Sequence, residues 1–181
     1  MNAGTEEKVE KDKKIPVTIT ITGRHEQDGL TDSVEDEYTG YLSKRGSSTY
    51  IIYEDTENKL NNRIKISEGK LEIKRTPVTG PNIGSGFDQD KKNNDDGMDD
   101  KKISDQDEKE ISPASYLAYV HKETVSGYYS TPYGNIEMET FTESFEIKET
   151  ESAYFCRLCG DINMNGSPVS RFTLEIEAAA K

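Results

Sequence analysis

Apolar and polar residues alternate one for one along much of this chain, and that periodicity restricts its folding options more than anything else in it. The stretch Val17-Thr18-Ile19-Thr20-Ile21-Thr22 shows the pattern most cleanly: odd positions are apolar, even positions are threonine, and every residue is β-branched. A repeat of two buries one face of an extended strand and wets the other, so it predicts antiparallel sheet around a single core. Ten strands can be read this way, over 15–23, 34–44, 48–54, 62–67, 70–75, 115–121, 124–130, 135–149, 153–163 and 168–177. Lys44-Arg45-Gly46-Ser47, Ser67-Glu68-Gly69-Lys70 and Asn165-Gly166 are hairpin signals between them. Links this short make neighbours antiparallel, because parallel neighbours need crossovers of about a dozen residues or more.

Parity assigns the faces of this up-and-down meander. Val17, Ile19 and Ile21 point inward, as do Tyr38, Gly40 and Leu42, then Ile64 and Ile66, Leu71 and Ile73, and finally Phe172, Leu174 and Ile176. In the strand from 135 the phase slips, since Ile136 and Met138 are even whereas Phe141, Phe145 and Ile147 are odd; one extra residue near Thr140, a β-bulge, reconciles the halves. A bulge bends a sheet, and an open meander of this length would expose two adhesive edges. The expected architecture is therefore all-β, an antiparallel meander closed into a barrel of eight to ten strands. Tight links fall at 44–48, 67–70, 121–124 and 149–153, all at one end; the other end receives 24–33, 54–61, 76–114 and Thr131-Pro132-Tyr133-Gly134. That asymmetry predicts a closed base and an open mouth, with any binding site at the mouth.

Composition bounds the rest. With 181 residues, 31% hydrophobic and 32% charged, the chain supports one domain with a modest core, expected over 15–178. Residues 1–14, with four acids and four lysines, read as a disordered tail, and about 86–110 as an acidic flexible insert. Asn94-x-Asp96-Gly97 in the insert is reminiscent of a calcium loop, but Lys92 and Ile103 occupy the first and twelfth ligand positions, where acids are required. A local expectation is that the insert touches the basic hairpin 63–75 through weak, salt-sensitive contacts. A net charge of −12 opposes binding to nucleic acid or to an anionic membrane surface. The longest apolar run is five residues, 116–120, and the N-terminus has neither a basic start nor an apolar segment, so a cytoplasmic protein is expected.

Chemistry-bearing residues are sparse. Cys156-x-x-Cys159 has redox or metal spacing, yet three residues apart in a strand the two thiols face opposite sides; Cys156 is expected in the core beside Tyr154 and Leu158. His25 and His121, the other two metal ligands of that type, fall at opposite ends of the barrel, so neither a metal nor a cofactor is expected. Glu35, Glu37, Glu137 and Glu139 spread over an outer face without a nucleophile and base beside them, so no catalytic residues are assigned and the protein is read as a non-enzyme. At the mouth, Arg75 continues the inward phase of Leu71 and Ile73, His25 continues that of Ile21, and both lie near Glu54, where Arg75 can pair with the acid or hold an acidic ligand. The plainer alternative has Arg75 leaving the strand and bending to water. Ten tyrosines, against five phenylalanines and no tryptophan, suit half-wet positions, and Tyr53, Tyr129 and Tyr133 fall near the mouth; sheet propensity explains the same excess.

Several stretches together resemble the YwiB-like family, a small bacterial domain of unknown function: Ile15-Pro-Val-Thr-Ile-Thr-Ile-Thr-Gly-Arg24, Tyr50-Ile-Ile-Tyr-Glu54, Lys65-Ile66, 71–75, Tyr129-Ser-Thr-Pro-Tyr-Gly134 and Leu174-Glu-Ile176. The resemblance implies a calycin, or lipocalin-like, β-barrel over most of 15–177 and carries over no activity or site residues. The chain departs from the family at 81–112, where the family has a short link. Two functions remain open: binding of a small, partly apolar and acidic molecule at the mouth by Arg75, Tyr53, Glu54, Tyr129, Tyr133 and His25, or an interaction module that holds a protein partner or forms a homodimer around a side-chain-filled barrel.

Overall fold

Apolar residues that recur at alternate positions, many of them β-branched or aromatic, make these segments strands, and the computed structural model, which describes residues 14–78, 115–131 and 133–181, contains all ten. They are β1 Ile15–Gln27, β2 Leu30–Arg45, β3 Ser48–Asp55, β4 Leu60–Ser67, β5 Lys70–Pro77, β6 Ser115–Val120, β7 Thr124–Thr131, β8 Gly134–Glu149, β9 Ala153–Met164 and β10 Ser167–Ala180. Each pairs antiparallel with its neighbour in sequence, and β1 also pairs with β10, Ile21 opposite Ile176, so the sheet closes into a barrel and neither terminal strand is left as an edge. Residues 1–13 and the insert at about 86–110, with its expected contacts and its calcium-like motif, lie outside the described residues.

Period-two burial produces the core. Ile19, Ile51, Ile64, Leu158 and Ile176 are fully buried inside the barrel, each worth about 1.5–3 kcal/mol of transfer free energy. Residues predicted inward on β1, β2, β4, β5 and β10 are buried or half-buried.

Three expectations needed correction. The stretch 24–33 is not a loop: β1 and β2 continue as a projecting ladder to Gln27 opposite Leu30, turned by Asp28 (φ 52°) and Gly29 (φ 77°). Asp-Gly is a strong two-residue hairpin signal because both residues tolerate the left-handed region, as at Asn165-Gly166. The bulge is present, but three residues beyond Thr140. Thr142 faces Gly160 and Ser144 faces Cys159, which leaves Glu143 as the extra residue. Thr140 and Thr142 are therefore the buried positions, and Phe141 faces the outer wall. Finally, the base is not closed: a cavity of about 730 Å³ opens there, between the start of β1, the end of β10 and the β8–β9 turn.

Candidate functional site

Strand tilt brings the chemically active side chains together. One row of cross-strand partners runs Val17, Gly40, Tyr53, Asn62, Arg75, Ser115 and Tyr129, and it climbs from the first turn of β1 at the base to the last turn of β7 at the mouth. Arg75 sits in this row with β5 continuing past it to Pro77, so it has not left the strand. Its Nε is buried and has no hydrogen-bond partner among the described residues. A guanidinium donor withdrawn from water and left unpaired costs free energy, more than the other buried side-chain atom without a partner among the described residues, the neutral Thr142 hydroxyl.

Phenols surround it. The Tyr38 and Tyr53 rings lie 4.4 Å apart, and deeper in the barrel Tyr119 packs on Phe172 at 5.3 Å. Burial pushes the Tyr53 phenol up and the Tyr119 phenol up to about 12, with the positive charge of Arg75 opposing both shifts. Tyr38 is also raised, first by burial and then by the charges of Asp36 and Asp55. Burial alone would raise Asp55, but its carboxylate accepts hydrogen bonds from the Asn58 backbone N–H (3.0 Å) and side-chain amide (2.8 Å); with the field of Arg75 these outweigh burial and hold it below the usual carboxylate value. The floor of the mouth is thus a fixed cation among neutral phenols, with one carboxylate that is also committed to its own turn.

Six residues were expected here, and they separate. Arg75 and Tyr53 meet in the cluster. Tyr129 shares their row and is 43% exposed. Glu54 points outward, because Tyr53 and Asp55 are the buried residues on either side of it. His25 is exposed on the projecting hairpin, opposite Asp32 and Phe172. Tyr133 is fully exposed in the β7–β8 turn. Sequence reasoning missed Tyr38, Asp55, Asn62, Ser115 and Tyr119 as partners. Extending the third strand by one residue would have revealed Asp55 by parity with Tyr53.

Above the floor, the inner wall rises beyond the packed core. Leu30 (77% exposed) and Val34 (55%) continue the inward parity of Tyr38 and Leu42, and Ile136 (40%) lies opposite Tyr129. At the base, the cavity is walled by Ile15, Val17, Leu42, Tyr154 and Ala178, with Lys44 and Glu149 at its rim.

Cys156 is fully buried between Tyr154 and Leu158, whereas Cys159 faces outward with its sulfur 2.9 Å from the Ser144 hydroxyl. Burial pushes the Cys156 thiol up to about 12. A thiol reagent at neutral pH is therefore expected to label Cys159 readily and Cys156 at least about a thousandfold more slowly, at the rate set by unfolding. Comparable labelling of both cysteines in the native protein, read by mass spectrometry, would contradict this burial.

Among the described residues no helix is long and apolar enough to cross a membrane. No curated protein matches the chain. A solved structure, the ywiB protein from Bacillus subtilis, is similar to it with a TM-score of 0.61 at 18% identity, over 94% of this chain and 95% of that one, and the likeness extends to the fold. The profile of the family described as "Domain of unknown function (DUF1934)" matches residues 19–94 and 109–176, so that only 95–108, within the acidic insert, falls between the matched stretches, a narrower departure than the 81–112 expected. With the profile covering most of the strands and the closed antiparallel barrel formed by them, the chain belongs to the DUF1934 family.

Proposed function

We propose that this protein is a non-enzymatic cytoplasmic binder that takes one small, partly apolar molecule at the mouth of its barrel. The observation that carries this reading is the buried, unpaired Nε of Arg75 beneath an apolar inner wall that no protein side chain covers among the described residues. An acidic group seated against Arg75 would supply the missing acceptor, and the apolar body would lie along Val34, Tyr129 and Ile136. The exposure of Glu35, Glu37, Glu137 and Glu139 on the outer wall supports the non-enzymatic part.

Native mass spectrometry of freshly purified protein tests the reading through any co-purifying small molecule. Arg75→Gln is expected to weaken binding of such a molecule about 10- to 100-fold, the worth of a charge-assisted hydrogen bond. Unchanged retention in that variant would overturn the role of Arg75. A second reading, self-association, is supported by the exposure of Leu30, Val34 and Tyr133 at the same end. A dimer that dissociates on Leu30→Lys would favour it.

A further inference from the structure

We infer that the base of the barrel holds a second, separate site for a small neutral and mostly apolar molecule, gated by the Lys44–Glu149 ion pair. The cavity there has a volume of about 730 Å³, within the range of ~300–1,000 Å³ typical of small-molecule sites. Its origin lies in β10, where inward parity runs Phe172, Leu174, Ile176 and then Ala178 and Ala180. The large side chains that fill the middle of the lumen give way to methyl groups at its end. Ile15, Val17, Leu42 and Tyr154 complete an apolar wall whose one deep polar group, the Tyr154 hydroxyl, already has the Thr49 side chain as a hydrogen-bond partner.

The rim decides the class of ligand. Lys44 and Glu149 are inward-parity residues at the ends of β2 and β8, strands that have β1, β10 and β9 between them in the closed sheet. Their ion pair therefore crosses the opening instead of joining neighbours on the wall. Because each charge neutralises the other, this strap has no unpaired charge for an ionic ligand; Glu151, the third charged residue lining the cavity, is exposed to solvent, and an apolar wall lies behind the strap. Both side chains are about half exposed, and a pair of that kind adds little to stability, so parting it is cheap. The site shares no proposed contact with the Arg75 floor and does not depend on it.

N-phenyl-1-naphthylamine, a neutral fluorescent molecule, is a suitable probe of the full-length protein. Saturable binding is expected, with methyl NMR shifts at Ile15, Val17, Leu42 and Ala178 and none at Leu30, Val34 or Ile136. Ala178→Leu should weaken binding at least about tenfold by filling the space. Ala180→Phe, at an exposed position on the rim, should do the same if the first variant fails to fold. Lys44→Gln is expected to speed association about two- to fivefold and to remove its dependence on salt, since the held-back fraction reflects a weak, screened pair. Absence of saturable binding, shifts confined to the mouth methyls, or wild-type affinity in a folded filled variant would overturn the site; an unchanged association rate in Lys44→Gln would overturn the gate.

Discussion

Raising the pH to about 11 is expected to unfold the barrel cooperatively, because three buried acids would have to ionise there. In an unfolded chain Cys156 titrates near its ordinary 9.0 and Tyr119 and Tyr154 near 10.0; desolvation by burial lifts all three to about 12 in the native protein. Tyr53 is raised as well, again by burial. A native value above the unfolded one means that the stabilisation is fully present below the unfolded value and is lost as pH climbs through the native one. The window here runs from about pH 9 to pH 12. At pH 11 the three groups together remove on the order of 5 kcal/mol, as much as the whole stability of many domains. Far-UV circular dichroism and tyrosinate absorbance, followed together, should change in one step. A sheet that persists while the phenols ionise one by one at ordinary pH would show that these side chains are not buried as described.

Gly160→Ala is expected to be the most damaging conservative substitution, with a loss of about 3 kcal/mol and a fall in Tm on the order of 10 °C. A β-carbon at this position would lie 1.8 Å from the Phe141 carbonyl oxygen and 3.1 Å from Cε1 of Phe172. The first obstacle is backbone, and it is there because the Glu143 bulge brings Phe141 and Thr142 against β9. Relief would need the bulge to migrate, and migration would send Thr142 or Phe145 to the wrong face. Gly23→Ala is the control, since nothing lies within 4 Å of its added carbon and its backbone lies outside the left-handed region; it should be neutral or stabilise by about 0.5 kcal/mol. Thermal unfolding of both variants reads the contrast. Equal stabilities would place the bulge elsewhere.

The strands were legible because alternation is a local property. Val17, Ile19, Ile64, Ile66, Leu71 and Ile73 declare their faces by parity with near neighbours, and the same parity put Arg75 on the inner side of the mouth; Tyr53 was placed near the mouth by its position at the end of the third strand alone. Parity left Glu54 and Asp55 unassigned, because Tyr50-Ile51-Ile52-Tyr53 is apolar on both faces and so declares no phase, and because Asp55 belongs to the strand only if β3 runs one residue further. Nor could it show that 24–33 is a projecting ladder, although Asp28-Gly29 was there to be read. The bulge was inferable as a phase slip, but its position was not. Phe141 favoured an odd phase by its apolarity alone, whereas the pairing of Thr142 with Gly160 fixes the extra residue at Glu143.

What the sequence by itself determined is the ribbon: ten antiparallel segments, the inner and outer faces of β1, β2, β4, β5 and β10, and closure to remove the edges. Only the tertiary structure decided what the two ends of that ribbon enclose. Side chains from strands far apart in sequence meet across the lumen, so the tilt that aligns Tyr53, Asn62 and Arg75, and the alanines that leave space beneath Lys44 and Glu149, are properties of the closed barrel. Neighbouring residues specify a strand; the volume inside a barrel depends on every strand around it.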